Sequence, residues 1–445
     1  MNRADSAPWC DSDLSNLIAT IQSGQRPYGG VTEDSGEIPS LGGENIRQGG
    51  GIEVSAVKKV STDFFRSMTK GILADLDVLI NKDGANTGKV GLYEAQFPVA
   101  TINEHLFLLR GKSERLSQRF LYRILSSEDG QKVIRAKISG SAQPGLKSDF
   151  IRNFHVCVPG STAEQSRIAA VLDAVDAGIA KTDAVIAKLK QVRAGLLDDL
   201  LTRGVDEHGQ LRDPAAHPEQ FQDSPLGPIP REWRVCGVLD VAPPDRQAIL
   251  TGPFGAQLGQ RDFVADGVPV LRIGNVQSGY IDWSDVQYVS STKAMELKRF
   301  RVRTGDLLFA RQGATTGRNA LADVRAGGTL INYHIIRVAV DPDRCEPVFL
   351  HAIFNSEQAL RQINRDKGRG TREGINTEQI SSLRLALPSI EEQRRAAAVL
   401  ANHDANEDSE TASLAKLRDL KLGLMADLLT GRVRVPENLG TVEAG

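Results

Sequence analysis

The four cysteines of this 445-residue chain, Cys10, Cys157, Cys236 and Cys345, are isolated, and no two make a paired metal-ligand or disulfide spacing. That excludes a zinc module and a disulfide scaffold, and fits free thiols in a reducing, cytoplasmic setting. Apolar runs long enough to cross a bilayer are missing, and Met1-Asn-Arg is not followed by an apolar signal segment, so no membrane association is expected. Catalytic motifs are missing too. There is no Asn-Pro-Pro-aromatic motif for amino-methyl transfer, no Gly-x-Gly-x-x-Gly opening a helix, and no Asp…Glu-x-Lys nuclease cluster after a strand. Gly252-Pro-Phe-Gly255 resembles a cofactor loop only superficially. No catalytic residue, metal ligand or bound cofactor is assigned to this chain.

A strong charge of either sign is also absent, the net being −2. The balance is uneven along the sequence. Residues 1–160 carry 19 basic and 18 acidic side chains (+1), and 225–388 carry 21 and 17 (+4). The stretches 161–224 (7 and 11, −4) and 389–445 (7 and 10, −3) are acidic. A weak global charge argues against indiscriminate polyanion binding but leaves local phosphate contacts open, because their influence decays within a Debye length.

What the chain does have is a second copy of itself. Asp77-Val-Leu-Ile-Asn-Lys-Asp-Gly-Ala-Asn-Thr-Gly-Lys89 returns 229 residues later (306 − 77) as Asp306-Leu-Leu-Phe-Ala-Arg-Gln-Gly-Ala-Thr-Thr-Gly-Arg318. At the same offset Ile102-Asn103-Glu-His105 matches Ile331-Asn332-Tyr-His334, and Pro159 matches Pro388. One residue is then lost, and Glu164-Gln165…Arg167…Ala169-Ala-Val-Leu172 matches Glu392-Gln393…Arg395…Ala397-Ala-Val-Leu400. A repeat this long is a duplicated half-protein and implies a pseudo-two-fold frame.

Each half opens with a glycine-rich stretch of short β-branched runs, such as Val268–Ile273, Asp306–Ala310 and Thr329–Val338, mixed with helical segments at Leu116–Ser127 and Pro347–Asn364. These read as globules of mixed α+β structure. A long helix follows. Its apolar seam runs Leu172, Val175, Ile179, Ile186, Leu189, then slips by one to Val192, Leu196 and Leu200. The second copy offers Leu400, Leu414, Leu417, Leu420, Leu424 and Leu428, with His403, Glu407 and Glu410 at mid-seam. Over Gln165–Thr202 against Gln393–Thr430, 18 of 38 aligned residues are identical. Each stripe can bury against its own globule, or the two can pair as antiparallel coiled-coil helices, each about 55 Å long. Pairing is expected, since the stripes are longer than a globule of this size covers. The implied division is 1–160 globular, 161–204 helix, 205–224 linker, 225–388 globular, 389–432 helix and 433–445 flexible tail.

The Gly-Ala-x-Thr-Gly loops resemble a phosphate loop but are one residue short, and Val90 and Asn319 stand where a magnesium-binding hydroxyl belongs. They are either glycine turns between strands or loops that bring flanking side chains to DNA. On the second reading the candidate contacts are Lys82, Asn86, Thr87 and Lys89, and Arg311, Gln312, Thr315, Thr316 and Arg318. Arg311-Gln312 suits bidentate reading of guanine and adenine. A second candidate patch is the basic run Arg365, Lys367, Arg369 and Arg372, with the milder equivalent Lys132, Arg135 and Lys137. His105 and His334 are expected to be hydrogen-bonded core histidines within strands.

A globule with a Gly-Ala-x-Thr-Gly loop and an Ile-Asn-x-His strand, then a Glu-Gln-x-Arg-x-Ala-x-Val-Leu entry into a long helix, all repeated, resembles the specificity subunit of type I restriction–modification systems. The resemblance covers nearly the whole chain and implies two target-recognition domains, each reading one half of a split, asymmetric DNA target. It implies a helical spacer that docks two methyltransferase subunits and then restriction/translocase subunits, with S-adenosylmethionine, ATP and magnesium belonging to those partners. The competing readings are a coiled-coil protein-interaction scaffold and a fragment of a fused restriction–methylation enzyme.

Overall fold

The computed structural model describes residues 8–28, 36–47, 49–140, 144–312, 316–365 and 374–437, without the side chains of Asn364 and Arg365. The chain forms two compact units, Met1–Ala184 with Thr411–Gly445, and Val185–Glu410. The division cuts both long helices.

The first unit contains β1 (Trp9–Asp13), α1 (Leu14–Leu17), β2 (Ile18–Ser23), β3 (Ile38–Leu41), β4 (Lys59–Val60), α2 (Thr62–Ser67), β5 (Asp77–Asn81), β6 (Val90–Tyr93), β7 (Thr101–Ile102), β8 (Leu106–Gly111), α3 (Gln118–Ser126), α4 (Glu128–Lys137), β9 (His155–Pro159) and the start of α5 (Thr162–Thr202). Its sheets are ordered β2-β8-β5-β6, β4-β3-β7 and β1-β9. Every residue of β5 is buried. Val78 and Ile80 join the cluster of Phe120, Leu121 and Leu172, while Leu79 joins Leu41, Ile102 and Leu108. A strand covered on both faces has no polar alternation to show, which is why Val-Leu-Ile is unbroken.

The second unit repeats this plan. It contains β10 (Phe221–Gln222), β11 (Ile229–Pro230), β12 (Arg234–Gly237), β13 (Ile249–Thr251), β14 (Phe263–Val264), β15 (Val268–Leu271), β16 (Gln287–Val289), α6 (Ser291–Glu296), β17 (Leu307–Ala310), β18 (Asn319–Leu321), β19 (Leu330–Ile331), β20 (Ile335–Val338), α7 (Pro347–Phe354), α8 (Glu357–Arg365), α9 (Thr377–Ser381), β21 (Arg384–Leu387) and the start of α10 (Ile390–Leu428). Sheet β13-β20-β17-β18 corresponds to β2-β8-β5-β6.

The run Thr329–Val338 is two strands, β19 and β20, in different sheets. Asn332 breaks it: its Oδ1 accepts the His334 N–H at 3.1 Å, and its own N–H donates to Leu271 O at 3.0 Å. Such a local side-chain bond gives the backbone an alternative to the ladder. Asn103 does the same for His105 at 3.0 Å. Pro347–Asn364 is likewise two helices, with Ser356 Oγ donating to Ile353 O at the break.

Each long helix is tied to its globule by a buried glutamine. Gln165 donates to Pro159 O at 3.0 Å and accepts from Ser117 N at 2.8 Å. Gln393 donates to Pro388 O at 3.0 Å and accepts from Glu346 N at 2.9 Å. The neighbouring glutamates hold arginines from beyond the other helix. Arg434 Nε lies 2.5 Å from Glu164 in the first unit, and Arg212 Nη1 lies 2.6 Å from Glu392 in the second. Residues expected to be slack are therefore docked. Val435 belongs to the first core, and the linker carries Arg212 and β10, which pairs with β11 just beyond it.

Further along, Lys421 pairs with Asp176 at 2.6 Å and Arg418 with Asp183 at 3.3 Å in the first unit. In the second, Arg193 pairs with Asp404 at 2.5 Å and Lys190 with Glu407 at 3.8 Å. As numbers rise along α5, those of the partners on α10 fall. Burial repeats at an offset of 228: Leu172 and Leu400, Ile186 and Leu414, and Leu200 and Leu428 are buried. Val175, Ile179, Leu189, Leu196, Leu417 and Leu424 are half-buried. Val192 and Leu420, expected in the seam, face outward at 44% and 50% exposure. The expected slip after Leu189 does not occur: the seam runs on in register through half-buried Arg193 and its equivalent Lys421, and Val192 and Leu420 fall one position outside it.

Glu392 also accepts from Val205 N and Trp233 Nε1. Its replacement, Glu392→Ala, should lower stability in chemical denaturation by about 3–5 kcal/mol, because it strands a buried arginine. Arg418→Ala, at an exposed pair, should cost under about 1 kcal/mol.

His351 in α7 is half-buried, with its enclosed Nε2 unpartnered among the described residues, and desolvation, with the Arg193 charge, holds its pKa below the ordinary value despite the Asn319 backbone and Asp404 nearby. A histidine whose folded pKa is depressed supplies stability above its unfolded pKa of about 6.5 and loses it as pH falls below that. The melting temperature should drop on acidification from pH 7 to 5.5, and His351→Leu should flatten that drop.

Candidate nucleic-acid interface

The Gly-Ala-x-Thr-Gly loops are the turns of hairpins β5–β6 and β17–β18. Gly88 and Gly317 sit at φ +90° and +91°, a conformation glycine adopts without penalty. Each donates its N–H back across the turn, to Asn81 O at 2.8 Å and Ala310 O at 3.0 Å. Beside each turn lies the Asn-x-His loop. The N–H groups of Lys82 and Arg311 donate to the carbonyls of His105 and His334, both at 2.9 Å. A third strand of chain closes the site: Leu146 N donates to Lys82 O at 2.6 Å, and Ile375 N to Arg311 O at 2.9 Å. Three segments thus converge identically in both units.

The histidines are hydrogen-bonded, yet they are turn residues at the surface and not core strand residues. His105 Nδ1 lies 2.6 Å from Asp83 Oδ1, with its side chain 49% exposed. The equivalent bond joins His334 Nδ1 to Gln312 Oε1 at 3.0 Å. Burial and the Arg311 charge hold the His334 pKa below its ordinary value, which favours the neutral imidazole.

The proposed contact residues fall into different situations. Lys82 is half-buried, with Nζ 3.0 Å from Ser23 Oγ and 5.3 Å from the centre of the Phe107 ring. Thr87 Oγ1 donates to Gly84 O at 2.6 Å and so shapes the turn. Asn86 and Lys89 are half-buried beside it. On α4, Lys132 is shared by Glu128 at 2.9 Å and Asp129 at 3.2 Å, and Lys137 donates to Arg152 O at 3.3 Å. Arg135 is exposed and without an ion pair among the described residues. In the second unit Arg311, Gln312 and Thr316 are half-buried, and Arg318 Nη1 donates to Gln277 Oε1 at 2.9 Å. Thr315, Lys367, Arg369 and Arg372 lie outside the described residues, as does the side chain of Arg365.

A cleft of about 520 Å³ adjoins the second site, bordered by Arg272, Asn275, Asp282, Gln287, Tyr333 and His334. Sequence reasoning missed this wall. Its residues come from loops without a repeated motif. Among the described residues no helix is long and apolar enough to cross a membrane.

The sequence profile described as the type I restriction modification DNA specificity domain matches residues 11–191 and 263–419. The chain belongs to the type I DNA specificity family. Its function within that family is DNA sequence recognition, without a catalytic role of its own. The MjaVIII type I restriction enzyme specificity subunit of Methanocaldococcus jannaschii is 23% identical over 418 residues, covering 93% of this chain and 90% of that one. The EcoBI specificity subunit of Escherichia coli is 22% identical over 364 residues, covering 80% and 73%. In fold, the chain is similar to the type I S subunit from M. genitalium, with a TM-score of 0.56 at 13% identity over 96% of this chain and 98% of that one.

If Arg311 reads a base edge, Arg311→Ala should cost roughly 1–3 kcal/mol on the cognate sequence and relax preference at one position in a binding assay. An equal loss on every sequence would instead mark a phosphate contact.

Proposed function

We propose that the two units are target-recognition domains, covering residues 1–160 and 225–388, that read two different halves of one split, asymmetric target in double-stranded DNA. The observation that carries this reading is a frame that repeats hydrogen bond for hydrogen bond while the side chains it carries at the hairpin turn do not. Asp83 stands where Gln312 does, and Lys82 is engaged with Ser23 where Arg311 has no ion pair among the described residues. Like frames position the readers alike, and unlike side chains read unlike bases.

In this reading α5 and α10 pair as an antiparallel coiled-coil spacer through Leu172, Ile186, Leu200, Leu400, Leu414 and Leu428. Each helix is long enough, at about 55 Å, to set half-sites more than one helical turn of DNA apart. The outer helix faces would dock two methyltransferase subunits, and restriction/translocase subunits would join that assembly in the cytoplasm. S-adenosylmethionine, ATP and magnesium would be bound by those partners. Similarity to a chain in a structure concerning complex assembly of the type I R-M system, with a TM-score of 0.53 and 15% identity, agrees with a subunit role.

Selection from random duplexes, with the methyltransferase partner present, should enrich a bipartite motif; if none emerges, the recognition reading fails and a protein-binding scaffold takes its place. Inserting one heptad after Leu189 should lengthen the gap between half-sites and leave their bases unchanged. Exchanging residues 225–388 for those of a relative should alter one half-site alone.

A further inference from the structure

The repeat makes it possible to ask which recognition-site residues the frame requires and which it merely carries. Ser23 pairs with Phe107 on β8, and Thr251 with Ile336 on β20. The next residue is glycine in both units, and it passes tightly over the Ile-Asn turn. A Cβ on Gly24 would meet Ile102 O at 1.9 Å, and one on Gly252 would meet Asn332 O at 2.1 Å. Two residues on, the chain stands beside the third residue of the Ile-Asn-x-His loop. In the first unit that couple is Arg26 and Glu104, an ion pair at 3.3 Å. In the second it is Phe254 and Tyr333, with ring centres 6.4 Å apart and planes at 31°.

Both couples are wired to the hairpin turn by the same route. Glu104 approaches His105 Nε2 at 3.4 Å, and His105 bonds Asp83. Tyr333 lies against the His334 ring at 3.6 Å, and His334 bonds Gln312. The second couple is also open to solvent, Phe254 at 61% and Tyr333 at 37%. A single exposed aromatic residue needs no explanation. Here the first copy shows that the same backbone turn is made without rings. The aromatic couple is thus surplus to the frame, and it adjoins the hairpin residues Arg311 and Gln312.

We propose that Phe254 and Tyr333 form an apolar ledge that reads the 5-methyl group of a thymine in the half-site of the second unit. This rests on the recognition reading above and names the base chemistry at that site. In a stacked duplex the thymine methyl is the apolar group presented on a major-groove base edge, and a side chain such as Phe meets it by contact. Insertion between base pairs would need rings free to enter the stack. Here Tyr333 is held against the His334 ring, and Phe254 lies beside Tyr333. The charged Arg26–Glu104 couple offers no such surface, so the first half-site should be indifferent to thymine methyls.

The test uses the full chain in its complex with the methyltransferase partner and the selected bipartite duplex. Each thymine of either half-site is replaced in turn by deoxyuridine, which removes the methyl and nothing else. Wild type should lose roughly fourfold in affinity at one position in the second half-site, the worth of burying a methyl group, and nothing in the first. Phe254→Ala should bind thymine and uracil duplexes alike, whereas Phe254→Leu, which keeps an apolar contact, should retain part of the difference. Indifference of wild type to every uracil, a second half-site without thymine, or an equal loss by Phe254→Ala on both duplexes would each overturn the proposal while leaving bipartite recognition standing. If no split motif can be selected, the recognition reading falls with it.

Discussion

A buried carboxylate must be matched by a cation, and this requirement, placed at the first turn of each long helix, organises the molecule. Glu164 and Glu392 are 3% exposed, so neither can rely on water for its charge. The matching arginine comes in each case from beyond the end of the other helix, Arg434 or Arg212. The adjacent glutamine, also buried, fastens the same turn to the globule. A leucine stripe alone tolerates sliding by a turn, because one leucine can replace another. A buried ion pair does not. The Glu-Gln step therefore sets register, and the pairs Asp176–Lys421 and Asp404–Arg193, themselves equivalent at an offset of 228, follow from it.

The same logic separates what the two copies must share from what they may vary. Asp77 and Asp306 are equivalent, and each accepts a backbone N–H three residues upstream at 2.8 Å. Their arginines are not equivalent: Arg110 reaches Asp77 from β8, while Arg246 reaches Asp306 from the loop before β13. Electrostatics requires a partner for the carboxylate but not a particular place in the sequence to supply it. Surface residues are freer still. Selection for sequence recognition can therefore rewrite Arg26, Asp83 and Glu104 into Phe254, Gln312 and Tyr333 without disturbing the turn beneath them.

That distinction explains how much was legible. Features dictated by backbone chemistry stood out in the sequence as repeated motifs: the Gly-Ala-x-Thr-Gly turns, the Ile-Asn-x-His signature, and the glutamate and glutamine at each helix start. They recur because few residues can do those jobs. The break itself was missed, since β-branched residues flank Asn332 on both sides and a single side-chain bond decides the matter. Docking of Arg212 and Val435 was equally invisible, because nothing local announces a partner about 180 or more residues away. The basic run on α4 looked more available than it is. Glu128 and Asp129, one turn before Lys132, take up its charge. The aromatic ledge had no signal at all, as its residues come from two loops joined only by the fold.

The middle of the long helices is governed by weaker constraints than their ends. His403 stands where the first copy has Val175, and both its ring nitrogens are buried without a hydrogen-bond partner among the described residues. An unsatisfied buried polar group costs about 1–3 kcal/mol. Glu407, in place of Ile179, makes only a long contact to Lys190, and Val192 and Leu420 turn outward. A stretch under strong selection for packing would not keep such residues. Apart from Ile186 and Leu414, the buried apolar contacts of each helix are concentrated toward its ends, in the globular cores, while salt bridges, several of them exposed, run along the middle. Length between those anchors is thus weakly policed by packing, whereas the anchors themselves admit almost no change. Helices built this way tolerate a change of length by whole turns without any change to the ends that fix them.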